Sequence, residues 1–290
     1  MYDSLLAILL MGIVPVGSGT VSKTPELAAY LSVAPLHVQG MQKRNDMIQK
    51  LRVLSASGVL IIDTESGQEV YASAARDERP IASLTKLMTA LLITENHVMN
   101  EWVTIPLSVK EVPGEVAHLS PGDEFRVGDL LSALLIGSAN DAAVSLAEFH
   151  SGSVAAFVDE MNHRAHELGL KHTLFQNPVG FDDVMQYSTP QDLAWLAIFV
   201  LKNEEIQKRM ATRGMRIFSR TGDEIYITHT HALLHADTSV LAGKTGTTKA
   251  AGQCLLSLVE GEQGERYLVI LLHSNDRYAD MRTILRILAS

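Results

Sequence analysis

The order of strand-like and helix-like segments constrains the fold of this chain more than any other feature of its sequence. Alternating apolar segments at 58–63 and 68–72 flank a turn-forming Glu-Ser-Gly sequence and predict a β-hairpin. Helical patterns dominate from residue 83 to about residue 202. Two apolar strands and a final helix follow later in the chain, at residues 254–259, 267–272 and 276–288. Strands and helices do not alternate regularly, which argues against a doubly wound parallel sheet.

This order predicts an α+β fold. An antiparallel sheet is built from both chain ends and flanked by helices, and an all-helical subdomain of about residues 97–215 is inserted between the two halves. We divide the chain into a signal-like or anchor segment (1–20), a lead-in (21–54) and a folded domain (55–288). A single domain of this length can bury a sizeable core.

Composition excludes several classes of protein. The 290 residues are 47% hydrophobic and 20% charged, which is typical of a globular protein and argues against a disordered or multi-span membrane chain. The formal net charge of −9 argues against a nucleic-acid partner, because an acidic surface repels phosphates. The single cysteine, Cys254, rules out an internal disulfide and any cysteine-based metal centre.

The amino terminus carries an apolar run, Leu5–Val16, followed by small residues. The run is shorter than the roughly 20 residues that span a bilayer, but it has the length of a signal-peptide core. It predicts an exported protein of the periplasm or cell envelope. The leader before it contains Asp3 and no basic residue, which is atypical of a signal peptide. The alternatives are a short interfacial anchor, which predicts membrane association, and a buried N-terminal helix.

The first candidate for chemistry is the pair Ser83 and Lys86 in a Ser-x-x-Lys sequence at the start of a helical pattern. Side chains three residues apart share one face of a helix. A lysine amine can take the proton of the serine hydroxyl if burial or a nearby cation lowers the pKa of the lysine. Taken alone, the pattern is more often a capping serine followed by a surface lysine.

Ser138 and Asn140 form a second candidate on a turn between two helical segments. The asparagine amide offers one acceptor and two donors, which suit both edges of a peptide bond. Serine and asparagine are also preferred helix caps, so this pair by itself is equally well explained as capping.

The third candidate is the sequence Gly243-Lys244-Thr245-Gly246-Thr247-Thr248. Its small residues allow another backbone to approach, and its lysine can attract a carboxylate. Gly-Lys-Thr also ends a phosphate-binding P-loop, which requires a glycine five positions before Gly243. That position is Thr238, so we exclude nucleotide binding.

The three motifs in this order resemble the signature of penicillin-binding proteins and serine β-lactamases. The chain is most similar to the low-molecular-mass penicillin-binding proteins, the D-alanyl-D-alanine carboxypeptidases and endopeptidases, over about residues 55–288. The segments that flank the motifs also resemble this family: Arg79-Pro80-Ile81-Ala82, Asn177-Pro178-Val179-Gly180, Tyr187-Ser188-Thr189, Thr230-His231-Ala232-Leu233-Leu234 and Ala251-Gly252. The resemblance implies the fold of these serine DD-peptidases and β-lactamases.

The resemblance implies that the chain is an enzyme and assigns three catalytic residues. Ser83 would be the nucleophile that forms an acyl-enzyme, and Lys86 would be its general base. Ser138 would relay a proton to the leaving amine, with Lys244 tuning that relay. No cofactor is implied.

The resemblance also implies a substrate-binding set. Asn140 would hold the substrate amide, and Lys244, Thr245 and Gly246 would lie at the start of a strand on which an extended peptide docks. The backbone N–H groups of Ser83 and Thr247 would form the oxyanion hole. Arg277 matches an arginine that helps to bind the terminal carboxylate in the family. The partners implied are peptidoglycan stem peptides and β-lactam antibiotics.

The resemblance leaves the exact reaction open. Residues 250–255 resemble the endopeptidases, whereas residues 137–142 resemble the carboxypeptidases, and we favour carboxypeptidase activity. Class A β-lactamases use a glutamate to activate the deacylating water. No Glu-x-x-Leu-Asn sequence lies between Asn140 and Lys244, which argues against a β-lactamase. A non-catalytic binding homologue is a further alternative, because a fold does not guarantee activity.

The histidines could suggest a metal site but are better explained otherwise. His229, His231 and His235 cluster in sequence, yet the only nearby carboxylate with plausible ligand spacing is Asp237. We therefore expect hydrogen-bonded or exposed loop histidines and no metal.

Overall fold

The computed structural model describes residues 46–289 of the chain. The strands are β1 (Gly58–Asp63), β2 (Glu69–Ser73), β3 (Trp102–Thr104), β4 (Glu124–Arg126), β5 (Gly214–Phe218), β6 (Glu224–Thr228), β7 (Val240–Thr248), β8 (Gly252–Glu260) and β9 (Arg266–Ser274). The helices are α1 (Lys86–Asn96), α2 (Val127–Leu135), α3 (Asn140–Ser151), α4 (Val154–Glu167), α5 (Pro190–Lys202), α6 (Glu204–Met210), α7 (Ala232–Ala236) and α8 (Arg277–Leu288).

The main sheet has five strands in the order β2-β1-β9-β8-β7. All neighbours are antiparallel, and the central pairing of β1 with β9 joins residues more than 200 positions apart, as in Leu60 opposite Ile270. The prediction of an antiparallel sheet built from both chain ends is confirmed. β7 lies at one edge of this sheet, so one of its sides pairs with no strand among residues 46–289.

Both faces of the sheet are covered, which explains why its central strands read as continuous apolar runs. Val59 and Ile61 of β1 point to a core shared with α8, whereas Leu60 and Ile62 point to the core beneath the helices of the insertion. This alternation follows from the two-residue period of a strand.

The insertion is mainly helical, but it is not all-helical as the sequence predicted. The hydroxyl of Ser153 caps α4 by accepting from the backbone N–H of Ala156, and Thr189 caps α5 by accepting from Asp192 N–H. The insertion is not purely helical, because the short strands β3 and β4 pair within it. The helix α5 packs against β1 and β9 and so joins the insertion to the sheet.

The amino-terminal boundaries are only partly covered by the structure. Leu51 lies before the expected boundary at residue 55, but its side chain is fully buried in the core between the sheet and α8. The signal-like segment 1–20 and most of the lead-in lie outside the described residues. Within residues 46–289, no helix is long and apolar enough to cross a membrane.

Three element ends converge to place the candidate residues. Ser83 lies on a 3₁₀ turn, Ala82–Thr85, immediately before α1, whose first residue is Lys86. Ser138 lies on the turn between α2 and α3, and Asn140 is the first residue of α3. The strand β7 packs against the Ala82–Thr85 turn. The edge of the sheet therefore faces the amino-terminal ends of two helices.

Candidate active site

The Lys86 amine is held by three oxygen atoms. Its Nζ lies 3.0 Å from Ser83 Oγ and 2.7 Å from the Asn140 side-chain oxygen. The third partner is the backbone carbonyl of Val179, also at 2.7 Å. The Lys86 side chain is fully buried, whereas Ser83 is half-buried and open to a ligand. The structure thus brings the first and second motifs into direct contact.

The environment of Lys86 favours the neutral amine. Burial lowers the pKa of Lys86 well below its ordinary value, and the positive charge of Lys244 lowers it further. The carboxylates of Asp141 and Glu115 oppose this shift only in part. The amino-terminal end of α1 adds the positive end of a helix dipole, which also disfavours an ammonium group. The site can therefore supply an unprotonated amine next to a serine hydroxyl.

The segment Asn177–Gly180 builds the wall behind this amine. Asn177 Oδ1 accepts hydrogen bonds from the backbone N–H groups of Val179 and Gly180 and so shapes a turn. The turn presents the Val179 carbonyl to Lys86 and the Pro178 carbonyl to the hydroxyl of Thr89. The sequence of this segment resembles the family but does not by itself indicate a role. Its Asn-Pro-x-Gly pattern is a turn signal, but the pattern does not say what the turn faces.

The second pair of polar residues joins Ser138 to the third motif. Lys244 Nζ donates to Ser138 Oγ at 2.7 Å and to the Thr245 carbonyl at 2.8 Å. Ser138 has a positive φ of 58°, and Ala82, next to Ser83, has a positive φ of 48°. Such conformations are costly for residues other than glycine, and they often occur at functional sites.

Lys244 is fully buried, and the pKa of its amine lies close to neutral pH. Burial and the nearby positive charge of Arg277 lower the pKa of Lys244 to about 7, while Glu115 acts in the opposite direction. The Lys244 side chain therefore loses its positive charge as the pH rises through neutrality. Glu115 is exposed, and its backbone carbonyl accepts from Asn140 N–H at 2.7 Å, which ties its loop to the second motif.

We expect the replacement Glu115→Gln to shift the pH profile of penicillin acylation toward lower pH. The Glu115 carboxylate raises the pKa of both Lys86 and Lys244, so its removal lowers both values. With the roles that the family resemblance implies for Lys86 and Lys244, acylation is favoured by a neutral Lys86 and a charged Lys244, which predicts a bell-shaped profile whose two limbs move together. The measurement is the second-order acylation rate constant between pH 5 and 9.

The matched control for this prediction is Glu262→Gln, which removes an exposed carboxylate from the β8–β9 turn. Its profile should overlay that of the wild type. A Glu115→Gln profile that also overlays the wild type would show that this carboxylate does not act on the two lysines.

The strand β7 runs directly against the Ser83 turn at Gly246. A Cβ atom at Gly246 would lie 2.9 Å from Ser83 N and 3.0 Å from Ala82 Cβ, so only glycine fits here. Lys244, Thr245 and Gly246 lie in the middle of β7, not at its start as expected. The Thr245 hydroxyl is 2.6 Å from the hydroxyl of Thr230.

Arg277 also reaches β7. Its guanidinium donates to the Gly246 carbonyl at 2.8 Å and to the Thr247 hydroxyl, and Gln253 accepts from Arg277 Nε. The structure therefore places Arg277 beside Thr247, at the exposed end of the third motif. Lys244 and Arg277 give this end of β7 a positive potential.

The Asn140 amide already has partners at both ends. Its Oδ1 accepts from Lys86, and its Nδ2 donates to the Pro113 carbonyl at 2.7 Å. An amide has two N–H donors and two acceptor lone pairs, so one of each remains for a substrate.

Of the three clustered histidines, His229 and His231 are buried, whereas His235 is exposed. His231 bonds to Ser257 Oγ at 2.8 Å, and His229 Nδ1 accepts from the backbone N–H of His231. Burial lowers the pKa of His229 to about 3 and that of His231 to about 4, so both rings are neutral near pH 7. Among residues 46–289, no group of three or more His, Cys, Asp or Glu side chains is arranged to hold a metal ion.

Comparison with known proteins agrees with this geometry. Residues 44–274 match the peptidase S11 family model, described as D-alanyl-D-alanine carboxypeptidase. The chain belongs to this D-alanyl-D-alanine carboxypeptidase family. The prediction of a low-molecular-mass penicillin-binding protein with a DD-peptidase fold is thereby confirmed.

Relatives in this family carry different names. The chain is 35% identical over 205 residues to the D-alanyl-D-alanine carboxypeptidase DacF of Bacillus subtilis (strain 168), covering 69% of this chain and 53% of DacF. It is 31% identical over 207 residues to a D-alanyl-D-alanine endopeptidase of Escherichia coli (strain K12), covering 70% of this chain and 66% of that protein. The chain thus spans about half to two thirds of the length of these relatives.

A solved structure in the family has the same fold. The Streptomyces K15 DD-transpeptidase superposes with a TM-score of 0.76 at 27% sequence identity, covering 81% of this chain and 97% of that chain.

Proposed function

We propose that this protein is a serine-type D-Ala-D-Ala carboxypeptidase that acts on peptidoglycan stem peptides through an acyl-enzyme on Ser83. The observation that carries this proposal is the buried Lys86 amine, which is hydrogen-bonded to Ser83 and to two further oxygen atoms. Membership of the family supports the same conclusion.

The hydrogen-bond partners of Lys86 determine where its lone pair points. A neutral amine has two hydrogen atoms and one lone pair. The Asn140 side-chain oxygen and the Val179 carbonyl can only accept, so they take both hydrogen atoms. The lone pair then faces Ser83 Oγ, 3.0 Å away, and accepts the hydroxyl proton. Ser83 is activated as a nucleophile by this arrangement.

Acylation follows from that proton transfer. Ser83 Oγ bonds to the carbonyl carbon of the penultimate D-alanine while its proton moves to Lys86. The C–N bond to the terminal D-alanine then breaks, and the proton that Lys86 took from Ser83 passes to the leaving amine through the Ser138 hydroxyl, which Lys244 holds at 2.7 Å. Water attacks the resulting ester and releases the shortened peptide, which restores the Ser83 hydroxyl.

Substrate binding uses the open edge of β7. An extended peptide can add to an edge strand through backbone hydrogen bonds. The charges of Lys244 and Arg277 attract the terminal carboxylate. The backbone N–H groups of Ser83 and Thr247 form the oxyanion hole in this proposal, and loss of one such donor typically costs about 10²–10³ in rate.

Penicillins are proposed to acylate the same serine and to leave slowly. A β-lactamase would hydrolyse that ester quickly, which requires a dedicated base for the deacylating water. Endopeptidase activity is the second candidate, because the 31%-identical relative of Escherichia coli carries that name.

We also propose that the protein acts in the cell envelope, outside the cytoplasm. The substrate class is a cell-wall peptide, and the apolar run Leu5–Val16 has the length of a signal-peptide core. Membrane association through residues 1–20 belongs to the same proposal.

The deciding experiment offers the purified protein a stem pentapeptide, a cross-linked muropeptide dimer and a chromogenic cephalosporin. The expected result is release of free D-alanine from the pentapeptide, with the dimer intact and the cephalosporin turned over only stoichiometrically. Cleavage of the dimer alone would favour the endopeptidase, and repeated turnover of the cephalosporin would favour a β-lactamase. Penicillin labelling or tight binding without turnover of either peptide would indicate a binding homologue.

A further inference from the structure

The helices α1 and α3, which begin with Lys86 and Asn140, are held together at both ends. At the catalytic end, Lys86 of α1 bonds to Asn140 of α3 at 2.7 Å. At the opposite end, His97, the residue that follows α1, bonds through Nε2 to Nδ1 of His150 near the end of α3, at 2.8 Å. The histidine contact therefore holds the same two helices as the contact between the motifs.

The two histidines lie in the middle of a row of four side chains that are linked by hydrogen bonds. His97 Nδ1 is 2.9 Å from a carboxylate oxygen of Glu101, and His150 Nε2 is 2.7 Å from a carboxylate oxygen of Glu160. Each ring therefore uses one nitrogen for a carboxylate and the other for its neighbour. The order is carboxylate, imidazole, imidazole, carboxylate.

Counting the hydrogen atoms on the two imidazole rings shows how many protons these four side chains require. Ionised carboxylates only accept, so His97 Nδ1 and His150 Nε2 must each carry a hydrogen. With two neutral rings, these are the only two ring N–H groups, and the facing nitrogens would oppose two lone pairs at 2.8 Å. One additional proton turns this contact into a hydrogen bond. The arrangement therefore fits one imidazolium and one imidazole.

The surroundings suit such a proton. A hydrogen bond with His97 lowers the pKa of Glu101, and hydrogen bonds from Ser151 and then His150 lower that of Glu160. Both carboxylates are thus kept ionised. The side chains of His97 and His150 are only 16% and 10% exposed.

Aromatic rings pack against both histidines. The rings of Phe149 and Phe157 lie against His97 and His150, with centroids 4.8 and 5.6 Å away. Several charged groups on α1, α3 and α4 form their own contacts, which are Arg164 with Glu95 and Glu167, His163 with Glu167, and Glu148 with Ser108.

We propose that His97 and His150 share one proton and act as a pH-sensitive clamp that positions α1 against α3. Both are positioning residues, because they lie at the far ends of the helices that begin with Lys86 and Asn140. The catalytic part of this inference rests on the proposed function, whereas the shared proton does not.

The sign of the pH dependence follows from the proton count. Two free histidines, each titrating near about 6.5, together bind two protons well below that pH and none well above it, whereas the clamp holds one. The clamp's contribution is therefore largest at intermediate pH, and it falls as the pH drops and a second proton binds the unfolded histidines, or as the pH rises and the shared proton leaves.

The first test measures the shared proton directly. The ¹⁵N chemical shifts of the histidine rings in the wild-type protein should show three protonated nitrogens among the four of His97 and His150 at pH 6, and two at high pH. Two protonated nitrogens at every pH would overturn the proposal. This readout needs no variant and no substrate.

The second test is a double-mutant cycle with His97→Ala, His150→Ala and the double variant, followed by urea unfolding. The expected coupling is about tenfold or more in the unfolding equilibrium constant at pH 6, the range of hydrogen bonds to charged groups, and it should shrink by pH 9. The control is His163→Ala, since this side chain is 76% exposed and pairs only with Glu167. A coupling that is absent, or that is the same at both pH values, would contradict a shared proton.

The third test reads the active site through penicillin acylation. The His97→Ala and His150→Ala variants should lose acylation rate most at the pH where the wild-type clamp is protonated, and the His163→Ala control should match the wild type. If the wild-type protein is not acylated at all, the proposed function fails while the first two tests still decide the clamp. Unchanged acylation rates in both variants would show that the clamp does not affect the active site.

Discussion

Replacement of Ser83 by alanine is expected to abolish covalent labelling by a fluorescent penicillin and to lower D-alanine release by several powers of ten. The substitution removes the only oxygen on that side chain that can bond to the substrate carbonyl carbon. Loss of the nucleophile in a unit of serine and base typically costs about 10⁶ in turnover. The fold should survive, since the change deletes one atom of a half-buried side chain whose contact is with Lys86.

The replacement Lys86→Ala is expected to cause a comparable loss, because the two residues act as one unit and their effects do not add. The double variant should therefore be little worse than either single variant. Ser66→Ala, an exposed serine in the β1–β2 turn, is the matched control and should label like the wild type. A labelled Ser83→Ala protein would refute the assignment of the nucleophile. Circular dichroism and unfolding curves report whether each variant is folded.

The second large effect is expected from Gly180→Ala. A Cβ at this position would lie 2.0 Å from the Ala82 carbonyl oxygen and 2.8 Å from Ser83 N, and both atoms belong to the backbone. Backbone cannot rotate away as a side chain can, so either the turn before α1 or the Asn177–Gly180 segment must move. Either movement separates Ser83 from Lys86, or Lys86 from the Val179 carbonyl. We expect loss of penicillin labelling together with a lower unfolding midpoint.

The control for this prediction is Gly222→Ala, which separates the effect of a steric clash from the effect of an unfavourable backbone conformation. Gly180 and Gly222 have nearly the same φ, +95° and +97°, but a Cβ at Gly222 would meet no atom within 4 Å. An alanine in this conformation costs about 1–2 kcal/mol by itself. Gly222→Ala should therefore be mildly destabilised and fully labelled. If the Gly180 variant behaves in the same way, the close approach seen in the structure is wrong.

The role of Gly180 shows how a local pattern can be visible in a sequence while its purpose is not. Asn-Pro-x-Gly predicts a turn, and the structure has that turn. The contact with Ala82 joins residues 98 positions apart, and no periodicity or spacing reports such a distance. The role of the Val179 carbonyl could not be predicted for the same reason. Every residue has a carbonyl, and only the tertiary structure decides which one accepts from Lys86.

The contact between His97 and His150 is a second feature that could not be predicted from the sequence. The two histidines are 53 residues apart and belong to no motif, so nothing in the sequence connected them. The buried pair His229 and His231 was expected to be hydrogen-bonded or exposed, and both residues are buried with hydrogen bonds. Sequence could identify these residue types but not their degree of burial.

The sequence by itself determined the main helical stretches, the antiparallel sheet from both chain ends and the three motifs. Those features depend on the period of apolar residues, on capping side chains such as Ser153 and Thr189, and on short spacings, all of which are local. Only the tertiary structure decided the charge states of Lys86 and Lys244 and the partners that surround them. Desolvation and hydrogen bonding depend on which distant segments pack around a group, and that information exists only once the chain has folded.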